Sequence, residues 1–468
     1  MNKKLSDSVI AGGYCIGCGA CAALENAEYK ITRTEFGLQE AELIEPGERS
    51  GSALPFVAAE KVCPFSDAAR DEDELNRIFY SDAPHNKRHI GRHWATYAGS
   101  VADDELRAVA SSGGIGRWLE RKLLEEGLVD GVVHVIPTPN NSGQPLFEFT
   151  IVSSAEAVAQ GARSAYYPTP MHEVLKQVRG LQGRYLFTGV PCFAKALKSL
   201  CLEDTVLGER IKYVVGIVCG HMKSEAYAEL IAWQMGVKPE RLEQIDFRGK
   251  VDGIKASTKQ NIVTAGGKDH KEFSKDLFGT GYGLGLFKPK ACDFCDDVLA
   301  EVADISIGDA WLPEYVQDSR GSSIVIVRNR ELGEIVARGI AQGELQLDSL
   351  SADAILQSQE GGLRHRTDGL ECRLQALKGK EEWMPRKRVK PGWRTRFKHR
   401  GGLYDLRYEL AMLSHSAFRD AKENDSLDDF IASMTPLVER QKQLLKKEKN
   451  KGKSSRLLAK LKKKVGLK

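Results

Sequence analysis

The chain lacks any apolar run close to the ~20 residues that a membrane-spanning helix needs. It also lacks an apolar segment before Cys15 that could serve as a secretory signal, and it has no internal repeat of solenoid length. These absences argue against a membrane-embedded, an exported or a solenoid protein. The 468 residues, 42% hydrophobic and 28% charged, are typical of globular domains in water. We expect a cytoplasmic protein, in which ten cysteines bind metal rather than pair.

Positive charge is concentrated at the C-terminal end of the chain. From Arg440 to Lys468 there are 13 Lys and Arg residues and one acid, Glu448, although the whole chain carries only +4. A basic arm of this kind is typical of proteins that contact an anionic membrane, nucleic acid or an acidic protein. A solvated tail that binds no ligand is an interpretation of equal weight. Apolar residues at helical spacing from Leu457 to Val465 favour the inner face of a membrane.

A second basic segment, Arg386–Arg400, contains the aromatic residues Trp393 and Phe397. Basic and aromatic residues together are a pattern of nucleic-acid binding. No fold for base readout accompanies them here, so nucleic acid is the less favoured partner.

Four cysteines near the start are spaced as ligands of a four-iron cluster: Cys15, Cys18, Cys21 and Cys63. The first three form a C-x2-C-x2-C run like that of bacterial ferredoxins, and the fourth precedes Pro64. Because only one such run exists, the remote Cys-Pro most simply closes the same cluster. Gly17 and Gly19 permit the tight turns that the run requires. Zinc and disulfides are the alternatives, but zinc sites usually have separated C-x2-C pairs.

The chain divides into three parts by sequence texture. Residues 1–80 are a ferredoxin-like iron–sulfur segment ending in a helix at Ser66–Tyr80, and Asp82–His89 reads as a linker. Residues 81–345 alternate β-rich and helical runs, which predicts an α/β domain with a mixed sheet and flanking helices. Residues 346–468 are predicted to be a helical extension with a basic tail.

The α/β part contains short runs of both types. The predicted strands are Gly131–Ile136, Leu146–Val152, Arg184–Thr188, Tyr213–Val218, Ile305–Ile307 and Ile324–Arg328. The predicted helices are Ile115–Glu126, Met171–Arg179, Phe193–Leu200 and Ser224–Met235. The turn Asn140–Gly143 suggests that the strand after it pairs antiparallel. In the extension, Tyr404–Ser414 and Leu427–Lys447 are predicted to be helical.

A second set of cysteines lies in the α/β part: Cys192, Cys219, Cys292 and Cys295. The first two each follow a predicted strand, so they can lie at one edge of a sheet, where the C-x2-C pair would complete a four-thiolate site. Zinc would satisfy this set as well as iron–sulfur. Cys201 and Cys372 are not part of such a cysteine pattern, and we expect them to be buried or free thiols.

Small residues precede the first helix of the α/β part. Ser111-Ser112-Gly113-Gly114 lies directly before Ile115, and backbone amides at a helix start can bind a phosphate, although a simple N-cap and turn is the alternative. Two further segments, Gly161–Pro168 and Asp246–Lys250, offer arginine and aromatic groups.

The order of these motifs resembles the family of coenzyme F(420) hydrogenase and dehydrogenase beta subunits, which includes 7-hydroxymethyl chlorophyll a reductase-like proteins. The resemblance runs from about Gly12 to about Arg330, and Ala303-Asp-Ile-Ser-Ile-Gly-Asp-Ala-Trp311 is among its most specific motifs. It implies an iron–sulfur flavoprotein with FAD and one or two [4Fe–4S] clusters, the second at the second cysteine set. The FAD-side positions by this resemblance are Ser112, Gly113, Gly114, Arg163, Ser164, Tyr166, Gly189, Arg248 and Asp309. The family often has a basic residue where this chain has Ala165, and nothing in the sequence identifies a deazaflavin pocket.

We therefore expect an FAD- and iron–sulfur-dependent oxidoreductase. Electrons would pass from a ferredoxin-type partner through cluster and FAD to a small organic substrate by hydride transfer. The alternatives are a coenzyme F(420)-reducing beta subunit of a hydrogenase or dehydrogenase complex, and a non-catalytic electron-transfer partner docked by its basic tail. We expect an oligomer or complex. His221, beside Cys219, is the candidate general acid, and a structural histidine is the alternative.

Overall fold

An eight-stranded mixed sheet lies at the centre of the computed structural model of this chain. The structure describes residues 3–45, 47, 57–138, 144–161, 163–255, 257–380, 382–392 and 400–464, with the backbone alone at 449 and 451–464. The predicted turn Asn140–Gly143 and the aromatic residues Trp393 and Phe397 lie outside these ranges.

The strands are numbered in chain order. They are β1 Tyr29–Arg33, β2 Gln39–Leu43, β3 His85–Lys87, β4 Gly91–His93, β5 Ala95–Val101, β6 Gly131–Pro137, β7 Phe147–Val152, β8 Tyr185–Gly189, β9 Ile211–Ile217, β10 Gln244–Gly249, β11 Gln260–Ala265, β12 Lys268–Phe273, β13 Ile305–Asp309, β14 Ser323–Val327 and β15 Leu345–Ser349.

The helices flank the strands and make up most of the last hundred residues. They are α1 Ala59–Val62, α2 Glu72–Phe79, α3 Asp104–Val109, α4 Ile115–Glu125, α5 Ala155–Val158, α6 His172–Gly180, α7 Pro191–Glu203, α8 Thr205–Arg210, α9 Ala226–Gln234, α10 Lys290–Asp293, α11 Arg330–Ala341, α12 Ala352–Ser358, α13 Glu360–Arg366, α14 Asp368–Leu377, α15 Gly401–Glu423 and α16 Leu427–Lys464. In the described ranges, none of these helices combines the length and apolar character that a bilayer crossing requires.

The central sheet has the strand order β15-β5-β14-β13-β9-β8-β6-β7. Strands β6, β8, β9 and β13 run parallel, whereas β14 is antiparallel to both β13 and β5. Every residue of β14 is buried, as expected for an interior strand covered on both faces. A separate three-stranded meander, β10-β11-β12, lies beside this sheet.

Helices cover both faces of the sheet. On one face α4 and α11 place residues such as Leu119 and Ile335 against Val215 and Val325. On the other face α7 packs with Phe187 and with the N-terminal segment that carries the first cysteines. The N-terminal segment therefore shares a hydrophobic core with the α/β part.

The six strands and four helices predicted for the α/β part are confirmed, with ends displaced by at most three residues. The helix expected at Ser66–Tyr80 is shorter, because a capping box between Asp71 and Glu74 begins α2 at Glu72. The expected linker at Asp82–His89 is wrong in part, because it contains β3, which pairs with β4. A three-residue strand is too short to give a periodic signal. Strands β1–β5, β10–β12 and β15 were not predicted.

A fully buried arginine directly after β14 connects two loops and strand β13. Arg328 donates from Nε to the carbonyl of Ile90 at 3.0 Å, and from Nη1 to that of Ala303 at 3.1 Å and to Ser306 Oγ at 2.7 Å. Its Nη2 reaches the carbonyl of Leu299 at 3.3 Å. These acceptors are buried, so removal of the guanidinium would leave them unsatisfied.

We expect Arg328→Ala to lower the free energy of unfolding by about 3–5 kcal/mol, because a buried hydrogen-bonded charge is lost and its partners stay buried. Arg330→Ala is the matched control: Arg330 is exposed and its ion pair is with Glu334, one helical turn away, at 3.2 Å. The control should change stability by less than about 1 kcal/mol. Urea denaturation followed by circular dichroism measures both, and equal effects would contradict this account.

Candidate functional site

The carboxyl ends of three neighbouring parallel strands carry much of the predicted site. Strand β8 ends at Gly189, β9 at Ile217 and β13 at Asp309, and the three lie side by side. Parallel strands end at a common edge of a sheet, so the residues that follow them are brought together. Cys192 and Cys219 follow β8 and β9 closely, in the positions that the sequence predicts.

The first cysteine set is drawn together by the N-terminal segment; its members are Cys15, Cys18, Cys21 and Cys63. Burial raises the pKa of the Cys18 thiol, and the Cys63 and Cys15 thiols raise it further. Burial also raises the pKa of Cys21, to which the other three thiols add. These mutual effects show that the four thiols lie near one another, and none of them is in a disulfide.

Backbone groups surround the first set. The Ala41 amide donates to Cys15 Sγ at 3.4 Å. Burial raises the pKa of Cys63 to about 12 against the opposing effect of hydrogen bonds from backbone amides. Gly17 has a φ of 67°, and a Cβ there would lie 2.4 Å from the Gln39 carbonyl oxygen, so glycine is required at this turn.

The second cysteine set converges in the same way; its members are Cys192, Cys219, Cys292 and Cys295. Burial raises the pKa of Cys192, and the other three thiols raise it further. Burial also raises the pKa of Cys292 to about 11, although Arg366 and an amide hydrogen bond oppose it. That amide belongs to Met222 and lies 3.3 Å from the sulfur. By contrast, the pKa of Cys201 is raised by burial and nearby carboxylates, and no thiol contributes.

The two sets are neighbours. The Cys18 thiol of the first set contributes to the raised pKa of Cys192 in the second, after burial and the closer thiols. Helix α7 connects them, because Cys192 is at its first turn and Lys195 acts on the pKa of Cys63. A single helix therefore positions groups of both sets.

The donor chemistry of both sets suits a thiolate-bound metal centre. Uncombined thiols in groups of four, with amide hydrogen bonds to sulfur, are of the type that iron–sulfur sites use. Within the described ranges, no three or more Cys, His, Asp or Glu side chains are close enough to hold a single metal ion.

The predicted phosphate loop lies at the carboxyl end of β5. Ser112 Oγ donates to the Ser322 carbonyl at 2.8 Å, and the Gly113 amide donates to Ser323 Oγ at 3.1 Å. Gly114, with a φ of 83°, is the N-cap of the eleven-residue helix α4. The loop is thus tied to the first residues of β14, and the amino end of α4 faces the edge of the sheet.

The predicted arginine and tyrosine residues meet beside this loop. Arg248 forms a bidentate pair with Asp309 at 2.7 and 3.0 Å, and Arg163 pairs with Asp246 at 2.9 Å. Burial raises the pKa of the Tyr166 phenol, but Lys259 and Arg248 outweigh burial, and its pKa is lowered.

Ser111 and Ser164 lie beside these arginine and tyrosine residues. Ser111 Oγ donates to the Arg163 carbonyl and accepts from Ser164 Oγ at 3.2 Å. The nine predicted FAD-side residues thus lie along one edge of the sheet, where Gly189 at the end of β8 is two strands away from Asp309 at the end of β13.

Two residues that sequence reasoning missed connect the second cysteine set to this group. The Tyr282 ring stacks on His221 at 3.9 Å and lies 5.8 Å from the Tyr166 ring. Lys259 Nζ is 2.9 Å from Tyr166 Oη and 5.5 Å from the Tyr282 ring centre. Burial raises the pKa of Tyr282, and Cys219 raises it further. Neither residue belongs to a motif, so only the fold reveals them.

His221 is a neutral imidazole in this setting. Burial lowers its pKa well below the ordinary value, and Lys223 and other nearby cations add to the effect. Its Nε2 is buried and has no hydrogen-bond partner in the described part of the chain. Stacked on Tyr282 and uncharged, it is better placed to pack than to donate a proton.

A third missed residue, Arg366, comes from α13 in the predicted extension. It is buried, and Nη1 donates to the Cys292 carbonyl at 2.5 Å while Nη2 donates to that of Gly220. The guanidinium therefore holds the two loops of the second set together. Although burial opposes protonation, the Cys295 and Cys292 thiols keep the pKa of Arg366 above its ordinary value.

Two family models match this chain over more than half its length. Residues 96–176 match the N-terminal model of the coenzyme F420 hydrogenase/dehydrogenase beta subunit, and residues 182–353 match its C-terminal model. The chain belongs to this family of beta subunits. The resemblance found in the sequence is confirmed, and family membership makes the chain a redox protein of the oxidoreductase class.

Curated relatives agree with the family. One subunit of the F(420)H(2) dehydrogenase of Methanosarcina mazei is 24% identical over 71% of this chain and 84% of its own length. The beta subunit of the coenzyme F420 hydrogenase of Methanothermobacter thermautotrophicus is 24% identical over 54% of this chain and 84% of its own length. Coenzyme F420-dependent sulfite reductase of Methanocaldococcus jannaschii is 23% identical over 71% of this chain but 47% of its own.

Among solved structures, a chain of the F420-reducing [NiFe] hydrogenase complex from Methanosarcina barkeri matches with a TM-score of 0.49. Its identity is 18%, and the match covers 64% of this chain and 99% of the other.

Loss of either partner of the buried Arg248–Asp309 pair should destabilise the protein by about 3–5 kcal/mol, because an unpaired charge remains buried. The variants are Arg248→Met and Asp309→Asn, and the double variant should lose less than their sum. The control cycle uses Arg163→Met and Asp246→Asn, a half-exposed pair at 2.9 Å expected to couple by at most about 1 kcal/mol. Chemical denaturation gives both coupling energies, and equal values would contradict the argument.

Proposed function

We propose that this chain is the flavin- and iron–sulfur-bearing subunit of a multi-subunit oxidoreductase, which exchanges electrons between a one-electron protein partner and an organic two-electron carrier. The observation that carries the proposal is that the two cysteine sets and the predicted FAD-side residues adjoin one another in series. The first cysteine set adjoins the second, and the second adjoins Tyr282, Tyr166 and the Arg248–Asp309 pair. Redox centres at these places would lie in one uninterrupted series.

The residues fall into two proposed binding groups. The eight thiols would hold two [4Fe–4S] clusters, and the loop Ser112–Gly114 with Arg163, Ser164, Tyr166, Gly189, Arg248 and Asp309 would hold FAD. When bound, FAD exchanges electron pairs with organic molecules and single electrons with iron–sulfur clusters.

The protein supplies orientation, a dry environment and a proton-holding group. Phe247 lies 5.4 Å from the Tyr166 ring and 5.8 Å from that of Tyr227, so aromatic rings exclude water from one side of the group. Lys259 and Arg248 favour the ionised form of Tyr166 at its Oη, so this phenol is suited to give up and recover a proton. The positively charged groups of Lys259 and Arg248 also favour the binding of an anionic cofactor.

Coenzyme F420 is the first candidate for the organic carrier. Three curated relatives carry this coenzyme in their names, and two of them are named as hydrogenase or dehydrogenase subunits. A ferredoxin-type protein is the candidate one-electron partner. Hydride transfer to a different small organic substrate, the broader expectation from the sequence, is the second candidate and rests on the same site.

Anaerobic purification with iron, acid-labile sulfide and flavin analysis tests the cofactor assignment. We expect about eight irons, eight sulfides and one FAD per chain. Cys18→Ser and Cys295→Ser should each remove about four irons, because each breaks the ligand set of a different cluster.

Cys201→Ser is the matched control, since Cys201 belongs to neither set, and it should retain the full complement. Zinc in place of iron at the second set would overturn the two-cluster arrangement. A preparation without flavin would overturn the enzymatic proposal.

Reduced F420 with methyl viologen as the electron acceptor tests the carrier. We expect the oxidation of the deazaflavin, followed by its absorbance near 420 nm, to require the intact Arg248–Asp309 pair, whereas Arg163→Met should have a smaller effect. A flavin that is reduced by dithionite and reoxidised by other organic compounds, but never by F420, would favour the second candidate.

A further inference from the structure

A cavity of about 610 Å³ lies at the opposite edge of the sheet from the proposed FAD-side residues, and Asp296 in its lining adjoins Cys295 of the second cysteine set. It is lined by α2, by the β3–β4 hairpin and by the segment around Arg388. The hairpin leads into the first residue of β5, Ala95, whereas the Ser112–Gly114 loop lies beyond the last residue of that strand. The cavity and the proposed FAD-side residues thus lie at opposite edges of the sheet and share no residue.

The cations that line this cavity outnumber its acids. Asp73, Asp296 and Glu301 line it, and Arg388 pairs with all three at 3.0, 3.5 and 2.8 Å. Lys87 is also paired, with Asp353 at 2.7 Å. The lining thus holds three carboxylates against five cations, which are Lys87, Arg388 and three further arginines.

Three further arginines in the lining are not neutralised. Among the residues that the structure describes, the guanidinium groups of Arg77, Arg88 and Arg92 have no carboxylate partner and no side-chain hydrogen bond. Three uncompensated cations around one concave surface give it a positive potential, which low-dielectric walls strengthen.

Two local features point to a ligand in the cavity. Arg92 Nε is buried without a hydrogen-bond acceptor in the described ranges, and an orphaned buried donor is a recognised sign of an absent ion or ligand. His89, also in the lining, has a φ of 68°, and backbone in this sparsely populated region clusters at binding sites.

We propose that this cavity binds a small anion that carries phosphate or carboxylate groups, held by Arg77, Arg88 and Arg92. Guanidinium groups recognise both kinds of oxyanion by paired, charge-assisted hydrogen bonds. The volume is within the range of small-molecule sites. The backbone amide of Arg92 donates to Asn76 Oδ1 at 2.7 Å, which fixes the backbone from which this arginine extends.

Isothermal titration calorimetry of the full chain, purified anaerobically with its cofactors, tests the proposal. The probes are inorganic phosphate, pyrophosphate and citrate, in buffer without other polyvalent anions. We expect saturable 1:1 binding of at least one probe, and an affinity reduced about tenfold or more in Arg77→Gln/Arg88→Gln. Both arginines are exposed, so this variant keeps the fold. Arg92→Gln should have a similar effect.

Arg121→Gln is the matched control, because it removes one half-exposed cation from α4, away from the cavity. It should bind the probes as the unaltered chain does. Binding that survives in the double variant, or that falls equally in Arg121→Gln, would overturn the proposal. So would the absence of binding for all three probes, or binding of an acidic protein alone, which would assign these arginines to a macromolecular interface.

Discussion

The crowding of thiols at one edge of the sheet is the constraint on which the rest of the site depends. Two groups of four face inward, and burial together with mutual repulsion raises the pKa of thiols in each group. Such an arrangement disfavours free thiolates. The loops that carry the sulfurs must therefore be held by other contacts: the Ala41 and Met222 amides, the left-handed turn at Gly17 and the buried Arg366 all do this.

The segment after residue 353, beyond the family models, is part of this support. It supplies cations to an acidic loop next to the second cysteine set: Arg373 lies 3.6 Å from Asp293, and Arg388 lies 2.8 Å from Glu301. Buried ion pairs contribute little net stability, because desolvation opposes them, but their loss is costly. We interpret them as a means of fixing where the loop lies. The described part of the extension is thus joined by ion pairs to the loop beside the second cysteine set.

Much of the α/β part could be predicted because its signals are local. Strand β9 is a β-branched run, and α4 has apolar residues on one face, so periodicity identifies both. The cysteine sets could be found because C-x2-C spacing is itself local, and the order of the motifs identified the family. The β3–β4 hairpin and the meander β10–β12 were missed, because short or polar strands have no periodic pattern and depend on their partners.

By itself the sequence determined the cysteine spacing, the strongly periodic strands and helices of the α/β part, and membership of the family of beta subunits. Only the tertiary structure decided that the two cysteine sets adjoin, that Tyr282 stands between the second set and Tyr166, and that Arg366 enters the site from the C-terminal segment. The physical reason is distance along the chain. Ligand spacing is encoded over a few residues, whereas the meeting of Gly220 with Arg366 requires the whole sheet and its covering helices to form first.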